Sequence, residues 1–153
     1  MPLAKTAVFL LREYRRCPHE YSKYVLHLLL DRLCRHAEPQ RMFVSIAAQR
    51  EADRRKLGKL SDYTWYQQTT KMADKGRKTF HWDHFVTIKE MRKALLNLDP
   101  PTEDGARAIL RRASVAWILK REDRKLNKLG FRADRPNPHA AYRKARIRPI
   151  RIW

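Results

Sequence analysis

The sequence predicts an α+β chain, mostly helical, in which N-terminal helices precede a small ββα unit whose two strands are separated by inserted helices. Three observations predict this class. Apolar residues recur at helical spacing through the first half. Residues 80–86 and 115–119 are aromatic and β-branched runs that read as strands. Capped helical patterns fill the interval between them, and a short helical pattern follows the second. The expected division is a helical region over residues 1–76 and the ββα unit with its basic tail over 77–153.

Taken in order, residues 5–16 are amphipathic and carry a single acid, Glu13. Pro18 suits a first helical position after Cys17. Tyr21, Tyr24, Val25, Leu28, Leu29 and Leu33 then follow at helical spacing. Pro39 opens a further expected helix with Met42, Phe43 and Ile46 inward, running to Lys56 and closed by Gly58. Ser61 caps an expected segment from 62 to about 73 that ends near Gly76. Its Tyr63, Trp65, Tyr66 and Met72 read as core, with Trp65 also suited to base stacking. The strand 80–86 meets Thr87-Ile88-Lys89-Glu90, a capping box that opens a helix over 88–97. Asp99-Pro100-Pro101 breaks that helix, and Thr102 caps another over 103–113. The second strand follows, then a helix over 121–128 stopped by Gly130. Asn137-Pro138 starts a helix over about 138–145. Ile147 to Trp153 alternates apolar and basic residues, as an edge strand would.

The formal charge is +19, from 35 Lys and Arg against 16 Asp and Glu. It is uneven: from Gly105 onward 15 basic residues face three acids (Glu122, Asp123, Asp134), so +12 of the total lies in the last third. Such an excess is what phosphate binding requires. A solvated surface, or an arm embedded in a larger nucleoprotein assembly, is the plainer reading. Hydrophobic residues at 43% allow a sizeable core and exclude wholesale disorder. Cys17 and Cys34 form no CxxC motif and no disulfide framework, so they are expected to be reduced thiols of a cytoplasmic protein. A zinc-finger scaffold is excluded. No apolar run approaches membrane-spanning length, so no membrane partner is expected. The start lacks a signal-peptide core, although the basic amphipathic 5–16 stretch would also fit an organelle-targeting segment.

The chemistry concentrates in Phe80-His81-Trp82-Asp83-His84-Phe85-Val86. An imidazole and a carboxylate at a strand-to-helix corner can bind a divalent metal and activate water. If the helix after the second strand folds across the pair, Asp83 and Asp123 can share an ion, with His84 as general base. Carboxylates favour Mg²⁺ or Mn²⁺ over Zn²⁺, while His81 would bias the site toward a softer ion. Asp83 and His84 point to opposite faces of a regular strand, so they converge only if the strand twists or ends there. Otherwise His84 shares a face with Phe80 and Trp82 as a core histidine. Glu122 and Asp123 would then be acids that stabilise a helix N-terminus. Arg77, Lys78, Lys120, Arg121, Arg124, Lys125, Arg143, Lys144 and Arg146 are the candidate phosphate contacts, which position a backbone without reading sequence.

Asp83-His84-Phe85-Val86 resembles the Asp/Glu-His-Val-Val element of the HNH, or ββα-metal, fold. Residues 80–147 resemble a group of small bacterial and phage-type HNH-like proteins. The matching stretches are Ile118 to Leu126, then Gly130-Phe131-Arg132, then Asn137 to Ile147. The likeness spans under half of the chain. It implies a ββα-metal fold, a divalent cofactor and phosphodiester hydrolysis, with DNA favoured over RNA. Thr87 stands where that pattern has Pro, Asp123 where it often has His, and no HxxxH follows. The expected function is therefore nucleic-acid binding with an HNH-like site capable of metal-dependent cleavage. The alternative is a non-catalytic helical DNA- or RNA-binding protein, or a subunit of a larger ribonucleoprotein.

Overall fold

A computed structural model describes residues 2–152. The terminal Trp153 of the expected edge strand lies outside them. The elements run α1 (Pro2–Arg16), α2 (Glu20–Arg35), β1 (Arg41–Ser45), α3 (Ile46–Arg54), β2 (Phe80–His84), α4 (Ile88–Leu96), α5 (Glu103–Leu110), β3 (Ser114–Leu119), α6 (Lys120–Lys128), α7 (Pro138–Lys144) and β4 (Pro149–Arg151). The fold is α+β and mostly helical, as the sequence predicts. The chain forms two compact units, residues 1–40 with 86–113 and residues 41–85 with 114–153. The division is not the expected one at 76/77, because the helices inserted between β2 and β3 belong with the N-terminal helices.

The helical unit packs α1 against α2 and α5, and α4 against α2 and α5. Ala4, Ala7, Leu11, Leu30, Leu33, Met91, Leu95, Ala106 and Leu110 fill its interior. Thr87 and Thr102 cap α4 and α5, their hydroxyls accepting from the amides of Glu90 and Gly105. α2 starts at Glu20 after an extended His19, so Pro18 sits in the connection before the helix rather than in it. α2 is apolar on two faces. Leu30, Leu33 and Cys34 are buried, while Tyr21, Tyr24, Val25, Leu28 and Leu29 remain exposed. Burial pushes the Cys34 thiol up to about 12, which keeps it protonated and inert.

The sheet unit holds four strands in the order β2-β3-β1-β4. β2 and β4 pair antiparallel to their neighbours, whereas β1 and β3 run parallel. Two expectations are corrected here. Residues 41–45 form a central strand, not the start of a helix from Pro39. The expected helix over 62–73 is instead a pinned loop with 3₁₀ turns at Leu60–Asp62, Trp65–Gln67 and Lys75–Arg77. Strand alternation divides the core between the two faces. Met42, Val44, Phe80, Val115, Trp117 and Leu119 pack with Ala48 and Ala52 of α3 and with Leu60 and Met72 of the loop. Phe43, Ala116 and Ile118 pack on the other face with Leu126 of α6 and Tyr142 of α7.

β1 and β3 each run directly into a helix. Ser45 caps α3, its hydroxyl accepting from Ala48 N at 3.0 Å. The same hydroxyl donates to Glu122 at 2.6 Å, and Glu122 accepts from Leu119 N at 2.9 Å. One buried carboxylate therefore ties the first turns of both helices together.

Candidate functional site

The site is built on the face of β2 that lies toward α6 and α7. β2 is regular through its last residue, with His81 opposite Ile118, Asp83 opposite Ala116 and His84 opposite Val115. Residues 81 and 83 consequently share one face, and residue 84 takes the other with Phe80 and Trp82. Asp123 enters from the first turn of α6. Ligand atoms of His81, Asp83 and Asp123 lie within 4.8 Å of one another, so this group could hold a metal ion. These three are the expected metal ligands; His84, the expected general base, is not among them. The pairing register stays regular across Asp83 and His84, and the imidazole in the group is that of His81.

Asp83 is the buried member. Its Oδ2 accepts from Arg135 Nη1 and from the Tyr142 hydroxyl, both at 2.5 Å. Arg135 Nη2 lies 3.5 Å from the other oxygen. Arg135 is itself only 2% exposed and also donates to the carbonyls of Phe131 and His84. Burial works against its charge, but the Asp83 carboxylate outweighs that and holds the guanidinium's pKa above its ordinary value. Tyr142 is held well above the usual phenol range by burial and by the same carboxylate.

His81 is the half-buried member. Its Nε2 lies 3.6 Å from Asp123 Oδ1. Its Nδ1 lies 3.1 Å from Lys120 Nζ, at the first residue of α6. Burial lowers its pKa below 6.5, with Lys120 and Arg135 acting in the same direction and Asp123 and Asp83 opposing them. The lowered value favours the neutral imidazole, the form that ligates a metal or accepts a proton.

The basic candidates differ in their exposure. Arg121, Arg124 and Lys125 are exposed on α6 while Glu122 and Leu126 face inward. Arg143, Lys144 and Arg146 are exposed on or just beyond α7. His139, Arg143, Arg146, Ile147, Arg148 and Pro149 line an open groove of about 610 Å³. Lys78 is exposed, but Arg77 is partly covered and stacks its guanidinium 3.4 Å from the centre of the Trp65 ring.

Sequence reasoning missed Arg135 and the role of Tyr142. Arg135 follows Arg132, Ala133 and Asp134 and looks like one more solvated charge of a basic tail. Only Asp83, 52 positions away, distinguishes it. Ser45 was hidden inside an expected helix.

No protein-family model matches this chain, and neither a curated protein nor a solved structure matches it. Among the described residues, no helix is long and apolar enough to cross a membrane.

Proposed function

We propose that the sheet unit binds nucleic acid and that His81, Asp83 and Asp123 hold a divalent ion for phosphodiester hydrolysis. The observation that carries this reading is the convergence of three ligand atoms beside the basic face of α6. Two carboxylates to one imidazole favour Mg²⁺ or Mn²⁺ over Zn²⁺. Such an ion would supply Lewis-acid polarisation of the phosphoryl group and a water of lowered pKa. This chain's own contribution is positional. Arg135 and Tyr142 lock the Asp83 carboxylate, the regular strand aligns His81 with it, and the first turn of α6 delivers Asp123. Lys120, Arg121 and Arg124, on the same helix as Asp123, would offer cations to a phosphate oxygen. DNA as the preferred polymer, and a cytoplasmic setting, rest on the HNH-like likeness of residues 80–147 and on the composition.

A second reading has its own observation. Lys120 already faces His81 Nδ1, and Arg135 with Tyr142 already satisfies Asp83. A group so compensated is stable without an ion, as a non-catalytic nucleic-acid-binding protein would require. Titration with Mg²⁺ and Mn²⁺, followed by thermal melting and cleavage of single- and double-stranded substrates, separates the two. The first reading expects a metal-dependent rise in melting temperature and metal-dependent cleavage. His81→Ala and Asp123→Asn should remove both, while His84→Ala should spare them. An unchanged melt and no cleavage would leave the binding role alone.

A further inference from the structure

The loop between α3 and β2 leaves two aromatic rings in solvent. Tyr66 is 73% exposed and Trp65 is 40% exposed. Their neighbours show that this is not a general failure of the loop to pack. Leu60 and Met72 are buried against the sheet, and the Tyr63 hydroxyl donates to Leu57 O at 2.8 Å. Trp117 Nε1 donates to Tyr63 O, and Gln49 bonds both Gly58 O and Leu60 N.

The far side of the loop is pinned by a buried polar knot. Asp74 accepts from Gln68 Nε2 at 2.9 Å, from Phe80 N at 3.0 Å and from Thr79 N at 3.1 Å. Gln68 also donates to the carbonyl of Phe80. Trp65 and Tyr66 therefore stand on a fixed support, with ring centres 5.2 Å apart and planes at 81°. Arg77 covers one face of Trp65. Lys71, Lys75 and Lys78 are exposed along the same loop, whose Asp74 charge is consumed inside the knot.

We propose that Tyr66 and Trp65 form a stacking platform for an unpaired nucleobase, with Lys71, Lys75 and Lys78 receiving the adjoining phosphates. The ligand class is single-stranded nucleic acid, because a base within a duplex has both faces covered by its neighbours. A ring with an open face, held rigidly beside cations, is the arrangement that stacks bases with little regard to sequence. Arg77, stacked on one face of Trp65, braces that ring and adds a cation beside it. The inference rests on the nucleic-acid-binding reading above and narrows its substrate.

Fluorescence anisotropy of the full chain with a labelled oligothymidylate, and with a hairpin duplex of matched charge, tests it. Tyr66→Ala is expected to weaken single-strand binding roughly 5- to 150-fold, the effect of losing one base stack. Duplex affinity and its salt dependence should be unchanged, and Tyr66→Phe should restore single-strand binding. Tyr66 is exposed enough that the thermal melt should not move. If Trp65, Tyr66 and Arg77 serve only to brace the loop, Tyr66→Ala would leave single-strand affinity within about twofold of the parent, and the platform is refuted. Salt-dependent duplex binding without single-strand preference would likewise overturn this inference while sparing the broader reading. A parent chain that binds neither polymer would overturn both.

Discussion

In the helical unit the buried side chains are Ala4, Leu11, Leu30, Met91, Leu95 and their like; among the described residues the buried polar group there is Thr87, a helix cap. In the sheet unit Ser45, Gln68, Asp74, Asp83, Glu122 and Arg135 are all buried, each with hydrogen-bond partners. The difference teaches where specificity is placed. An apolar interior loses stability in proportion to the volume removed, because its contacts are many and individually weak. A buried ion pair responds more sharply, since removal of one partner leaves the other charged and unsolvated. The sheet unit accepts that sensitivity where the candidate site lies.

The largest expected effect tests this contrast directly. Arg135→Met should destabilise the protein by about 3–5 kcal/mol, because the Asp83 carboxylate would remain buried without its counter-charge. Asp83→Asn combined with Arg135→Met should recover more than half of that loss. Urea unfolding of the three proteins checks both statements. Leu11→Ala in the helical unit should destabilise by about 2–4 kcal/mol, a cavity effect with no second-site rescue by charge removal. If Arg135→Met proved milder than Leu11→Ala, the distinction between the two interiors would collapse.

A smaller effect concerns pH. Burial alone would raise the Asp74 pKa, but hydrogen bonds from Phe80, Gln68 and Thr79 outweigh it and hold the carboxyl below its ordinary 3.8. A depressed folded-state value stabilises the fold above the unfolded value, and that contribution is lost as pH falls through the folded one. The stability advantage of the parent over Asp74→Asn should therefore be flat from pH 7 to about 5 and shrink progressively below pH 4. Paired urea titrations across that range would show it, and an advantage that grew toward acid would contradict the assigned sign.

Much of the local structure was legible in the chain itself. Thr87 with Glu90, and Thr102 by itself, announce α4 and α5 because caps act within one helical turn. The runs around Phe80 and Val115 announce β2 and β3 because their side chains suit a half-buried pleat. The period of two in a strand also placed Asp83 and His84 on opposite faces, and the regular register turns that rule into a choice of His81. The class of the fold followed from these same signals.

Tertiary structure alone decided the rest, and the reason in each case is sequence distance. β1 is central because its parallel partner lies about seventy residues away, and no local pattern in Arg41 to Ser45 carries that pairing. The helices between β2 and β3 complete the N-terminal helical unit, which moved the boundary away from 76/77. α2 has apolar residues on two faces, and only packing selected Leu30, Leu33 and Cys34 over Tyr21, Tyr24 and Leu28. Arg135 and Tyr142 became partners of Asp83 through contacts spanning 52 and 59 positions, where composition sees only one more arginine and one more aromatic. Local interactions write themselves into short windows of sequence. Long-range pairings do not, because a buried charge is defined by the partner that folding brings to it.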